Sequence, residues 1–130
     1  MTSLNQAKVV NKPWGEERWL ELNDKYCYKR LFVKAGHKLS LQYHKQKVET
    51  NFIVEGEAEV WLGKENGEIE KIKMSAGEFY TVPSMQIHRV IAITNIVLLE
   101  VSSPEVDDII RIEDETGRGD GRIKEEHNEQ

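Results

Sequence analysis

Between residues 26 and 101 the chain returns repeatedly to short runs of Val, Ile, Leu, Phe, Tyr and Trp. These are YCYKRLFV, KLSLQYH, TNFIVEG, EAEVWLG, IEKIKM, EFYTVP, HRVIAI and NIVLLEV, divided by Gly, Pro, Asn and Lys turn signals. Runs of this length suit half-buried strands, and their regular spacing describes an all-β sandwich or barrel. In KENGE, residues 64–68, an Asn-Gly pair sits between EAEVWLG and IEKIKM, so those two strands are expected to be antiparallel neighbours across a tight turn. Helix-compatible composition is confined to LNQAKVVNK and SPEVDDIIRIEDE, and both stretches are short.

A chain of 130 residues fits one core. The formal charge of −5, with no basic stripe, argues against nucleic acid as a partner. No apolar run approaches the roughly 20 residues of a membrane span, and MTSLNQAKVV lacks the charged start and apolar block of a signal peptide. The expectation is a cytoplasmic protein without a membrane partner. The single cysteine, Cys27, lies between two tyrosines and is read as a small buried hydrophobe. From residue 119 the tail is rich in Gly and charge, so residues 1–118 are expected to form the domain and 119–130 a flexible tail.

One strand-like run has a polar side. In KLSLQYH, alternation puts Lys38, Ser40, Gln42 and His44 on one face and Leu39, Leu41 and Tyr43 on the other. A four-residue connection, Lys45 to Val48, lets Glu49 return beside His44, and His88 follows a later strand, a proline and a short turn. Imidazole, carboxylate and amide oxygen without a thiolate suit a divalent transition metal: Zn, Mn, Fe, Co or Ni. His37 and His127 are read as satisfied or surface residues.

Gln42, His44, Glu49 and Gly56, followed by Gly77, Pro83, His88 and Asn95, resemble the two metal-binding motifs of the cupin superfamily. The fold this implies is a double-stranded β-helix, or jelly roll, in a single domain. KPWGEERWLEL, YCYKRLFVKAGHKLSLQYHK and DDIIRIEDETGR together resemble the cupin domain of type II phosphomannose isomerases, over residues 11–118. That resemblance implies Gln42, His44, Glu49 and His88 as metal ligands and Arg118 as an arginine serving catalysis or phosphate binding. Arg111, Lys29, Arg30 and Lys38 are further cations in the matching segments. The implied function is a metal-dependent isomerase of mannose-6-phosphate isomerase type acting on a sugar phosphate in polysaccharide metabolism. Two alternatives stand beside it: another sugar or nucleotide-sugar isomerase or epimerase, and a non-catalytic metal- or sugar-binding cupin.

Aldose–ketose isomerisation needs an oxyanion stabiliser, which a divalent metal supplies, and a base. For the base a metal-activated water, Lys38 and Glu100 remain open. The chain departs from the resembled pattern at Lys47, Asn51, Thr116 and Met85, where arginine, tryptophan, tyrosine and glycine are usual. If Asn51 shares a face with Glu49, an aromatic wall has become a small amide, and the pocket is expected to admit a different or larger sugar. Trp14 is expected to cap a barrel end or fill a dimer contact, Trp19 and Trp61 to be core or interface aromatics, and Asp107 and Asp108 to lie on an exposed face. An N-terminal strand around AKVVNKPW is expected to cross to a neighbour in a homodimer.

Overall fold

The computed structural model describes residues 2–123, 126 and 127. Each of the eight apolar runs contributes a strand: β3 (Cys27–Val33), β4 (Leu41–Tyr43), β5 (Glu49–Glu55), β6 (Glu57–Gly63), β7 (Ile69–Ser75), β8 (Phe79–Val82), β9 (His88–Ala92) and β10 (Ile96–Ser102). Three more lie outside them: β1 (Lys8–Lys12), β2 (Gly15–Leu22) and β11 (Ile110–Glu113). The two stretches of helix-compatible composition are therefore corrected. The first holds only a 3-10 turn, Leu4–Gln6, before β1, and the second leads through turns into β11. Helices of nine and thirteen residues, the lengths of these stretches, are marginal without packing, and both stretches find ladder partners instead.

The strands form two antiparallel sheets, ordered β1-β2-β3-β10-β5-β8 and β11-β4-β9-β6-β7. From β3 onward the chain crosses repeatedly between them, as a jelly roll does. Asn66-Gly67 makes the expected hairpin between β6 and β7, with Gly67 at φ 87° and Lys64 N–H donating to Glu68 O at 2.8 Å. Gly56, between β5 and β6, has φ 90°, and a Cβ there would stand 2.2 Å from the Asn95 carbonyl oxygen. Only glycine fits that corner. β1 pairs along its whole length with its own chain's β2.

Cross-strand register sorts the interior into layers. Leu31, Leu98 and Ile53 stand opposite one another on β3, β10 and β5, with Val33 and Ile96 beyond them. These meet Ala58, Val60, Met74, Val90 and Ala92 from the other sheet in one apolar core, which also contains Trp14. Two residues along the same strands the inward positions become Lys29, Glu100 and Asn51, and two further Cys27, Ser102 and Glu49, all buried. A strand with period two thus has an oily half and a polar half on the same face. The oily half closes the barrel, and the polar half lines a pocket.

Candidate metal centre

Gln42 lies in the middle of β4, directly opposite His88, the first residue of β9, and His44 follows one residue past β4. Glu49 begins β5 in the other sheet. Potential ligands therefore approach from both sheets. One ligand atom each from His44, Glu49 and His88 lie within 4.8 Å of one another, and all three residues are buried. Gln42 lines the same pocket.

Hydrogen bonds on the far side of each ring define what the near side offers. His44 Nδ1 lies 2.6 Å from the carbonyl oxygen of Asp108, and His88 Nδ1 lies 2.9 Å from that of Gln86. A carbonyl only accepts, so both Nδ1 atoms donate, and in the neutral rings both Nε2 atoms present lone pairs. Those lone pairs point at a carboxylate: Glu49 Oε1 is 2.8 Å from His44 Nε2 and 3.4 Å from His88 Nε2. Three acceptors converging in a buried space repel one another unless a proton or a cation lies between them. His88 Nε2 has no hydrogen-bond partner among the described residues. Two imidazole nitrogens and one carboxylate oxygen, with no thiolate, fit a divalent transition metal.

The surrounding charges favour the anionic carboxylate. Burial opposes ionisation of Glu49, yet Lys47 and the two imidazoles hold its pKa well below the usual carboxylate range. Burial likewise opposes charge on His88, but Glu49 beside it moves its pKa upward. Asn51 does share a face with Glu49: it is buried, and its Nδ2 donates to Glu49 Oε2 at 2.8 Å. The amide thus turns the other carboxylate oxygen toward the histidines.

Two loops hold the ligands in place. The Asp108 carboxylate accepts the backbone N–H groups of Lys45, Gln46 and Lys47 at 3.0, 2.7 and 3.0 Å, fixing the connection from His44 to Glu49. Asp108 was expected only to face solvent, because nothing local marks a carboxylate that caps a turn over 60 residues away. Met85 N–H donates to the His44 carbonyl oxygen at 2.6 Å from a left-handed backbone, φ 71°. This is the turn position where glycine is usual in the resembled pattern.

The other expected site residues separate. Glu100 is buried on the pocket wall, 3.4 Å from Lys47 Nζ, and burial followed by the nearby Glu49 pushes its pKa up. Lys29 also lines the wall, whereas Arg30 alternates to the opposite face of β3. Lys38 lies outside the pocket wall, 3.4 Å from Glu115, because alternation along 38–44 is broken before β4 begins and Leu39 and Ser40 both turn inward. Arg118 lines the pocket and is held by Asp114 at 2.8 Å and Glu126 at 3.3 Å. Arg111 lines it too. Lys12 and Glu17 complete the wall. Both lie in charged segments that carry no pocket signature of their own.

The structure also places the aromatics and the described part of the tail. Trp14 is buried in the core and on the pocket wall, while Trp19 and Trp61 lie half-buried under Lys29 and Lys71, each cation 4.2 Å from its ring. Cys27 is buried, which pushes its thiol pKa up. In the tail, His127 packs edge-on against Trp19 at 5.4 Å, and Glu126 reaches Lys12 at 2.7 Å. Residues 124, 125 and 128–130 of the expected flexible tail lie outside the described residues. No helix among the described residues is long and apolar enough to cross a membrane.

The family model described as mannose-6-phosphate isomerase C-terminal matches residues 2–114. Among curated proteins, the xanthan biosynthesis protein XanB of Xanthomonas campestris pv. campestris is 32% identical over 119 residues, covering 85% of this chain and 24% of that protein. The mannose-1-phosphate guanylyltransferase of Escherichia coli K12 is 32% identical over 117 residues, covering 85% and 23%. The chain thus spans about a quarter of the length of the curated relatives it matches. Among solved structures, oxalate decarboxylase of Bacillus subtilis superposes with a TM-score of 0.76 at 18% identity, over 85% of this chain and 31% of that one. KdgF from Halomonas sp. superposes with 0.63 at 18%, over 72% and 82%. These likenesses establish the cupin jelly roll. They also correct the expected activity: the relatives carry the names of guanylyltransferases and polysaccharide biosynthesis proteins, so the reading as a mannose-6-phosphate isomerase is withdrawn in favour of its nucleotide-sugar alternative.

Proposed function

The chain belongs to the mannose-6-phosphate isomerase C-terminal family of cupin domains, and on that premise we propose that it is a metal-holding cupin acting on a nucleotide-linked sugar, as an isomerase or epimerase, in surface polysaccharide synthesis. The observation that carries this reading is one pocket with two chemistries. At one end stand His44, Glu49 and His88, and elsewhere on the same wall stand Lys12, Arg111 and Arg118. A nucleotide-linked sugar offers hydroxyl and carbonyl oxygens to the first and a diphosphate to the second. Relatives named as mannose-1-phosphate guanylyltransferases support the reading of an activated sugar as ligand.

His44, Glu49 and His88 would hold the metal, with Gln42 beside them. When bound, a divalent metal supplies Lewis acidity toward a sugar oxygen. Glu100 is the proton-transfer group in this proposal. Its pKa is raised by burial and by Glu49, while Lys47 at 3.4 Å compensates the charge it carries when ionised. Asn51 orients Glu49 and leaves space where a tryptophan would close the wall. Lys12, Arg111 and Arg118 bind the anionic portion and set the sugar's register against the metal end.

The test is to incubate the metal-replete full chain with GDP-mannose and a panel of other nucleotide sugars and to follow the sugar signals by NMR. A new sugar isomer is expected from wild type and not from Glu100→Gln, which should retain its metal. Sugar binding without conversion, with stoichiometric metal present, would overturn the catalytic reading in favour of a binding module. A homodimer through the edge strand β1 is part of the proposal; sedimentation at monomer mass across micromolar concentrations would remove it.

A further inference from the structure

Three cationic side chains come together on the pocket wall. Lys12 closes β1, Arg111 lies on β11, and Arg118 follows β11; all three line the pocket. The side chains of Lys12 and Arg118 are only 7% and 10% exposed, so their charges are largely removed from water. Arg111 donates from Nη1 to the carbonyl oxygens of Gly119 and Gly121, but its buried Nε has no partner among the described residues. Buried cations at close quarters require anions among them, and an unpartnered buried donor marks a position where an acceptor belongs.

Two carboxylates supply the anions, and they are not equivalent. Asp114 belongs to the segment just after β11 and grips Arg118 from four residues away. Its carboxylate takes the Arg118 backbone N–H at 2.7 Å, Nε at 3.1 Å and Nη2 at 2.8 Å. That grip is local and is part of how Arg118 is presented. Glu126 arrives from the C-terminal tail. One of its oxygens lies 2.7 Å from Lys12 Nζ and the other 3.3 Å from Arg118 Nη1, so a single carboxylate bridges two pocket cations contributed by opposite ends of the chain. A phosphate oxygen pair makes the same bridging contact with a lysine and an arginine.

We propose that Lys12, Arg111 and Arg118 form an anion subsite for a phosphate or diphosphate group, and that the Glu126 carboxylate occupies it in the absence of ligand as a built-in competitor. The inference rests on the reading of the pocket as a site for an anion-bearing sugar, and it adds a competitor for that anion. A ligand diphosphate displaces one carboxylate, while Asp114 stays on Arg118 and keeps it aimed. The anchor outside the pocket is His127, packed against Trp19 with its Nδ1 3.3 Å from Lys8 Nζ. Removal of the Glu126 charge therefore opens the subsite without removing the His127 contacts.

The experiment is calorimetric titration of inorganic pyrophosphate into the full chain, treated with chelator so that the metal end contributes nothing. Wild type, Glu126→Gln and Lys12→Gln are compared, with circular dichroism confirming that each variant is folded. Glu126→Gln is expected to bind pyrophosphate about fivefold to tenfold more tightly than wild type, the equilibrium equivalent of losing one partly buried competing charge. Lys12→Gln is expected to bind more weakly than wild type. Equal or weaker binding by Glu126→Gln overturns the competition by Glu126, and absence of pyrophosphate binding in all three proteins overturns the subsite. Neither outcome depends on metal or turnover, so failure here is distinct from failure of the proposed catalytic reading.

Discussion

Asn51 donates its side-chain N–H to Glu49 Oε2 at 2.8 Å, two residues along the same strand and on the same inward face. Glu49 Oε1 is left facing both histidines. A residue that departs from the resembled motif is thereby tied to one that keeps it. Asn51→Leu preserves approximate volume and removes this orienting contact. Metal affinity is expected to fall by about tenfold, the scale on which partners of metal ligands act. Competition against a chromophoric chelator measures it, and unchanged affinity would show that Glu49 is oriented without the Asn51 amide.

His44 and His88 come from one sheet and Glu49 from the other, so a bound metal ties the two sheets together. Elemental analysis of wild type is expected to find about one divalent transition metal per chain. His44→Ala and His88→Ala should each lose it. Chelation should lower the melting temperature of wild type toward that of the variants, because a ligand bound only by the folded state adds to its stability. A metal-free wild type that reconstitution cannot load would leave a buried imidazolium–carboxylate cluster in place of a metal centre.

Asp114 carries a pH signature. Burial opposes its ionisation, but hydrogen bonds from the Arg118 side chain and backbone and from Thr116 hold its pKa well below the ordinary 3.8. A depressed carboxylate pKa means that the folded state releases the proton more readily than the unfolded one. The resulting stability is present above about pH 4 and is lost as the pH falls through the folded-state pKa. Asp114→Asn should cost about 1 kcal/mol at pH 7, and the deficit should shrink below about pH 3. Urea unfolding at the two pH values reads the difference; a deficit independent of pH would assign Asp114 a packing role only.

Met85 stands at φ 71°, a conformation that strains a side chain by about 1 kcal/mol or more, and 61% of its surface is exposed. Its N–H holds the carbonyl of His44, and glycine would keep that bond. Met85→Gly is expected to stabilise the fold by about 0.5 kcal/mol, the relieved strain less the extra freedom glycine gives the unfolded chain. A urea midpoint below that of wild type would show that the methionine side chain contributes contacts exceeding the strain.

β3 and β5 through β10 were legible because each is a run of β-branched and aromatic residues bounded by turn chemistry. Asn66-Gly67 was legible because few dipeptides reach a tight hairpin's backbone angles without strain. β2 was not, since GEERWLEL mixes charge into every turn of its pattern, and pairing with β3 and β1 makes it a strand. Extending alternation three residues beyond the strand that enforces it draws Lys38 into the site.

By itself the sequence determined the all-β class and the hairpin, because strand period and turn preference act between neighbours in the chain, whereas His88 joined His44 and Glu49 only through the resemblance to the cupin motifs. The tertiary structure decided which charges share a pocket. Lys12 meets Glu126 across 114 positions, Lys47 meets Glu100 across 53, and Asp108 caps a turn more than 60 residues before it. Ion pairs and caps act over about 3 Å of space and leave no period in the sequence, so they exist only once the sheets have brought their strands together.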